Sequence, residues 1–376
     1  MTPQQRLPVT VVTGFLGAGK TTVLRHLLVH SGQRLAVIVN EFGEVGIDGA
    51  LLRSCGFCPE DELEGRLVEL ANGCLCCTVQ DDFLPTMERL LERAEDLDGI
   101  VVETSGLALP EPLVAAFNWP AIRSRTRVHG VVTVVDGQAL AAGHVVADPA
   151  ALEAQRQADP SLDHSDAIED LFDDQLRAAD LVLISRSDCL VPEDLEHLRS
   201  TLQSRCRPGT AFVGTAHGVL DPQLLLGQRD GPDAPAVHGH DHEPDHDHDH
   251  DSHHGHDHEH EHEHHHDHSH VEIQSEALDL PGQWTPAALQ SVLLELIERQ
   301  QILRAKGWLA MADKARLLQI QAVGPRVQTW YEGIPQPDQL AGSSGRLKLV
   351  LLGFGLDRQI LEARLEAAAQ SSGIGP

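Results

Sequence analysis

Between Gly14 and Thr21 the chain reads Gly-Phe-Leu-Gly-Ala-Gly-Lys-Thr, and no other stretch limits the fold as much. Glycine has no Cβ, so the backbone N–H groups of Gly14, Gly17, Ala18 and Gly19 can close around a polyphosphate. Lys20 adds a point charge and Thr21 a hydroxyl for Mg²⁺. The flanks agree with this reading. Residues 8–13 are mostly β-branched and predict a buried strand, while residues 20–31 have the apolar spacing of a helix whose N-terminus faces the phosphates.

Downstream, further apolar runs end in polar loops. Leu35–Val39 predicts a second strand leading into the loop from Glu41 to Asp48, and residues 66–70 predict a short third one. A helix is expected from about Gln80 to Glu95. Residues 100–102 and 131–135 predict strands that deliver Glu103 and Asp136, and a last strand at 181–184 delivers Ser185, Arg186 and Asp188. Continuously apolar strands alternating with helical stretches imply a mostly parallel sheet covered on both faces, an α/β fold of the phosphate-loop NTPase type. Ligands bind such sheets at the carboxyl edge of the strands.

With 376 residues the chain exceeds what one core usually organises, so two domains are expected. The composition places the boundary. Residues 238–270 hold seventeen of the 24 histidines, interleaved with Asp and Glu, and offer too few apolar groups to fold alone. The expected division is a nucleotide-binding domain over 1–229, a disordered His/Asp/Glu linker over 230–270, and a small α+β domain with an antiparallel sheet over 271–376. In the last, Thr285-Pro286 reads as a helix cap, with Leu289, Val292, Leu293, Leu296 and Ile297 on one face. Leu318, Ile320 and Ala322 alternate with glutamines, and residues 346–352 predict another strand.

A net charge of −29 without a basic stripe argues against nucleic acid and anionic membranes as partners. The N-terminus runs directly into the first strand, and no apolar run nears the roughly 18 residues of a membrane span, which points to a cytoplasmic protein. Seven cysteines, five of them between positions 55 and 77, suit metal or thiolate chemistry better than a disulfide framework.

In the nucleotide site, Lys20 and Glu103 are the candidate catalytic groups. Thr21 and Glu103 can hold Mg²⁺, and the Gly106 N–H can sense a γ-phosphate. Asp136 is a weaker candidate. Asp188 can accept two hydrogen bonds from guanine N1 and N2, with Ser185 and Arg186 completing the base loop, which favours GTP over ATP. The thiols admit three readings. Cys55, Cys58, Cys74 and Cys77 have the spacing of a four-cysteine structural zinc site; Cys74, Cys76 and Cys77 form an open site for a transferable metal; or the cysteines are buried and inert. The histidine tract reads as a metal buffer or an acidic spacer.

The chain resembles the CobW-type metal-chaperone GTPases, relatives of the HypB and UreG nickel chaperones. The resemblance runs through Thr13–Thr22, Asn40–Glu44, Ala71–Thr78, Glu103–Pro110 and Asp170–Leu176, then the His-rich linker and Ile302–Gly307. It implies a slow GTPase that loads Co²⁺ in its Mg-GTP state and releases it to the cobalt chelatase of cobalamin synthesis. It carries over Cys74, Cys76 and Cys77 as the metal motif, Gly17 to Thr22 as the nucleotide loop, and Glu44 as a further metal contact. Ser185-Arg186 stands where the family has Asn-Lys. A zinc chaperone of the same family is the nearest alternative, a passive His-rich metal store is one from another class, and the receiver is then another metal-binding protein. The chain is compatible with a homodimer.

Overall fold

The computed structural model describes residues 6–40, 67–70, 83–158, 168–227, 273–311, 313–332 and 345–372. Its first unit is a seven-stranded parallel sheet built from β1 (Leu7–Thr13), β2 (Leu35–Asn40), β3 (Leu67–Leu70), β4 (Gly99–Glu103), β5 (Thr126–Asp136), β6 (Leu181–Ser185) and β7 (Ala211–Thr215). The strand order is β3-β2-β4-β1-β5-β6-β7. β1 therefore lies between β4 and β5, and the crevice outside its carboxyl end is the topological switch point. β7 is an addition to the expected sheet, whose last strand was 181–184. β5 also starts at Thr126 rather than at residue 131.

Alternation along β1 explains the covering of both faces. Val9 and Val11 join a core with Met87 and Leu90 of helix α2 (Leu84–Glu92) and Leu113 of α3 (Pro110–Ala116). Val12 joins the opposite core with Val23, Leu24 and Leu27 of α1 (Lys20–His30). Each such Leu, fully buried, stabilises the fold by roughly 1.5–3 kcal/mol. α2 covers less than the expected Gln80 to Glu95, because the chain tightens into a 3₁₀ turn at Ala94–Asp96. Beyond β5 come α4 (Gly137–Ala141), α5 (Pro149–Ala158) and α6 (Ile168–Ala178); α7 (Pro192–Gln203) follows β6. Leu171, Phe172 and Leu176 of α6 pack with Ile184 and with Leu198 of α7.

The second unit is a fully antiparallel five-stranded sheet of order β11-β10-β9-β12-β8, from β8 (Gln274–Pro281), β9 (Ile302–Ala310), β10 (Leu317–Val323), β11 (Arg326–Glu332) and β12 (Arg346–Gly353). Helices α9 (Pro286–Arg299) and α10 (Arg358–Ser372) cover one face; α8 (Pro222–Leu225) precedes the segment joining the two units. The expected helix start holds: Thr285 Oγ1 accepts the Ala288 N–H at 3.2 Å, and the five expected apolar residues are buried. The expected glutamine alternation on β10 holds only in part, because Gln321 is buried where it accepts from Arg127 at 2.9 Å.

That contact belongs to the junction of the two units, at the amino-terminal edge of the parallel sheet. Asp180, fully buried, accepts from Val131 N at 2.8 Å, from Arg207 at 2.6 Å and from Arg326 of β11 at 2.5 Å. The Arg127 guanidinium stacks 3.7 Å from the Trp330 ring centroid, and Arg304 donates to Leu226 O at 2.8 Å. The antiparallel unit therefore grips the edge opposite the switch point.

Candidate functional site

Those of the singled-out residues that the structure describes converge on the carboxyl edge of β1, β4, β5 and β6. Gly14, Gly17 and Gly19 all have positive φ. At Gly14 the requirement is double: φ is +133°, and a Cβ would stand 2.1 Å from Val134 O of β5. Ala18 N donates to Phe15 O at 3.2 Å, which closes the turn. Lys20 is buried and lies across the loop, its Nζ donating to Gly14 O at 2.8 Å and Phe15 O at 3.2 Å. An ammonium held by two carbonyls beside the N-terminus of α1 is a ready partner for phosphate oxygens. Thr21 is half-buried in the first turn of α1, and Thr22 beside it is exposed.

Glu103 ends β4 in register with Val12 and is only 3% exposed. The loop after it is tied down at both sides. Thr104 N donates to Val12 O at 2.9 Å, and Thr104 Oγ1 donates to Thr13 Oγ1 at 2.8 Å. Gln175 of α6, fully buried, donates from Nε2 to Gly106 O and Ala108 O, both at 3.1 Å. A hydroxyl on α1 and a carboxylate at the end of β4 are hard oxygen donors, which is what Mg²⁺ takes.

At β6, Ser185 packs behind Gly19, and Arg186 adopts a left-handed φ of +54°. Its guanidinium pairs with Asp136 and reaches Gly17 O at 3.4 Å, so it spans from β5 to the phosphate loop. Asp136 also caps α4 by accepting the Ala139 N–H at 3.1 Å. Asp188 lies in the 3₁₀ turn Ser187–Cys189 after β6, with His217 Nε2 at 3.9 Å.

Two features escaped the sequence reading. The loop after β7 brings His217 to Asp188 and Gly218 to Thr22. Gln175 anchors the β4 loop; the available signal was a glutamine on the same helical face as Leu171, Phe172 and Leu176. Glu44, Cys55, Cys58, Cys74, Cys76 and Cys77, the Glu41–Asp48 loop and the 238–270 tract lie outside the described residues. Among the described residues no group of three or more His, Cys, Asp or Glu can hold a metal ion, and no helix is long and apolar enough to cross a membrane. Burial pushes the Cys206 thiol up to about 12.

Comparison with known proteins extends the description beyond this edge. The family model of the CobW/HypB/UreG nucleotide-binding domain matches residues 8–213, and that of the cobalamin synthesis protein cobW C-terminal domain matches residues 273–369. The chain is similar to the zinc chaperone CobW of Pseudomonas aeruginosa, 45% identical over 365 residues that cover 96% of this chain and 92% of that one. It is also similar to the zinc chaperone CobW of a Sinorhizobium species, 41% identical over 368 residues, 97% of this chain and 98% of that one. Among solved structures, the Zn(II)-bound YjiA GTPase from E. coli aligns over 96% of this chain and 99% of its own at 21% identity, with a TM-score of 0.37. On the family matches and the two near-full-length relatives, this chain belongs to the CobW/HypB/UreG family of metal-chaperone GTPases.

Proposed function

We propose that this chain is a GTP-hydrolysing zinc chaperone that takes up its metal through Cys74, Cys76 and Cys77 in the GTP state and surrenders it to a receiving protein after hydrolysis. The observation that carries the reading is the edge just described. The phosphate loop, with Lys20 folded across it, leaves β1 where Val12 and Thr13 are bonded to Thr104 of the β4 loop that Gln175 anchors, and its Gly17 O is reached by Arg186, which Asp136 holds.

In this reading Gly14, Gly17, Ala18, Gly19, Thr21 and Thr22 wrap the phosphates. Lys20 exchanges its two loop carbonyls for β- and γ-phosphate oxygens, and Asp188, Ser185 and Arg186 take the base. Thr21 and Glu103 would hold Mg²⁺, which would supply charge neutralisation at the phosphates when bound. Glu103 and Lys20 are the catalytic groups. Gly106 offers its N–H to the γ-phosphate while Gln175 holds its carbonyl, so loss of that phosphate releases one side of the loop only. The metal motif lies between the Glu41–Asp48 loop and this one in sequence, and Glu44 is assigned as an accessory ligand. A loop with two arrangements converts hydrolysis into a change of metal affinity.

Zinc is assigned as cargo because the near-full-length relatives are zinc chaperones by name and thiolates hold zinc well. Cobalt delivered to a cobalt chelatase is the second reading, favoured by the description of the C-terminal family model. The domains are assigned to 1–229, 230–270 and 271–376, the middle one buffering metal, in a cytoplasmic protein that can act as a homodimer. The test is a single-turnover experiment with the zinc-loaded, Mg-GTP-bound protein and a colorimetric chelator. Release of zinc in step with phosphate supports the proposal; release independent of hydrolysis, or identical release from Lys20→Ala, rejects it.

A further inference from the structure

β5 and β6 end side by side, with Asp136 in register with Ser185. The approach requires Gly137, where a Cβ would stand 2.7 Å from Ile184 Cγ2 and 2.8 Å from Ser185 O. Across this junction Asp136 divides its two oxygens. Oδ1 accepts the Ala139 N–H of α4, and Oδ2 accepts from Arg186, whose other Nη reaches Gly17 O. The carboxylate is 2% exposed and the arginine 42%. A cap alone needs no charge, since Ser, Thr or Asn serve as well; the buried charge is answered by Arg186. Arg186 in turn holds a left-handed backbone that a residue with a Cβ rarely adopts. Ser185 does not make this tie, because its buried Oγ has no hydrogen-bond partner among the described residues.

We propose that Asp136 is a positioning residue for the guanine nucleotide. It fixes Arg186 across the phosphate loop at Gly17, so that the loop presenting Asp188 to the base and the loop wrapping the phosphates are held as one unit. Asp136 itself touches no nucleotide, and the inference rests on reading this edge as the guanine-nucleotide site.

The test is titration of the full chain with fluorescent GDP, and competition with GDP and inosine diphosphate, for wild type, Asp136→Asn, Arg186→Met and the double variant. Asn keeps the cap and removes the charge. Each single variant is expected to weaken GDP binding by about 10- to 100-fold, the range for losing a hydrogen bond to a charged group. The double variant is expected to lose little more than either single, because both break one strut. The preference for GDP over inosine diphosphate, which lacks the exocyclic amine, is expected to narrow in all three. If Asp136→Asn fails to fold, Asp136→Ser, which also keeps a capping oxygen and removes the charge, carries the same two readouts. Wild-type GDP affinity in the single variants, or losses that multiply in the double variant with base preference unchanged, would reduce Asp136 to a helix cap and overturn the proposal. Failure of the wild-type chain to bind GDP would overturn the site reading and the inference with it.

Discussion

Gln175→Met removes one amide and changes almost nothing else in shape, so it isolates what the anchor on the β4 loop does. The side chain is fully buried, and its Nε2 is shared between Gly106 O and Ala108 O at 3.1 Å each. Methionine fills the same volume and donates nothing. Two buried carbonyls then lose their donor, each at a cost of about 1–3 kcal/mol, and part is recovered as the loop relaxes toward water. A destabilisation of about 2–4 kcal/mol is expected, measured by urea unfolding. The functional consequence is selective. In the proposed assignment GDP would contact the phosphate loop and the base loop but would offer no γ-phosphate to the Gly106 N–H. GDP affinity should therefore stay within about twofold, while affinity for a non-hydrolysable GTP analogue and the hydrolysis rate fall about tenfold, the loss of roughly one hydrogen bond. Equal losses for GDP and the analogue, or a stability loss with no change in either, would refute the assignment of the β4 loop as the γ-phosphate sensor.

Three further outcomes follow from the geometry. Gly14→Ala forces a Cβ to within 2.1 Å of Val134 O and should abolish nucleotide binding in an equilibrium titration, with a fall in melting temperature, because the phosphate loop must leave β5. Asp180→Ala strands Arg207 and Arg326 at the junction of the two units. It should cost about 3–5 kcal/mol and turn a single unfolding transition into two in calorimetry. Burial, then Arg304 and Arg127, hold His129 well below the usual histidine range. The unfolded chain therefore takes up a proton below about pH 6.5 that the folded chain refuses. Stability should fall as pH drops through that range at about 1.4 kcal/mol per pH unit, and His129→Gln should flatten the slope in denaturant titrations.

Much of the nucleotide edge was legible because its chemistry is local. Gly14, Gly17, Gly19 and Lys20 follow from backbone geometry and charge at fixed spacing, and Glu103, Asp136 and Asp188 stand out as carboxylates after apolar strands. Thr285 was legible for the same reason, since a cap is satisfied within one turn. What escaped depends on partners far away in the chain. Arg127 and His129 look like surface residues, yet they lie inside β5 because Gln321 and Trp330 of the antiparallel unit cover them. Arg304 and Lys306 interrupt the apolar pattern of β9, although that strand is central in its sheet and Arg304 is buried against Leu226 O. β7 is five residues with a glycine in it, and its burial comes from α7 and its base-loop neighbour rather than from its own pattern. Gln175 was overlooked because a single polar residue in an amphipathic helix says nothing of which carbonyls it meets.

The central claim is that nucleotide state controls metal affinity, and the most direct measurement is a chelator competition titration of Zn²⁺. It would be run on the full chain and on Cys76→Ala/Cys77→Ala, each with Mg²⁺ and a non-hydrolysable GTP analogue and each with Mg-GDP. The difference between the two proteins isolates the thiolates from the histidine tract. The account predicts one site, present only in the unsubstituted chain, whose affinity rises by at least about 100-fold from the GDP to the analogue state, a coupling of roughly 3 kcal/mol. Equal affinity in the two nucleotide states would contradict it, because a ligand that does not distinguish two states cannot be released by passing between them.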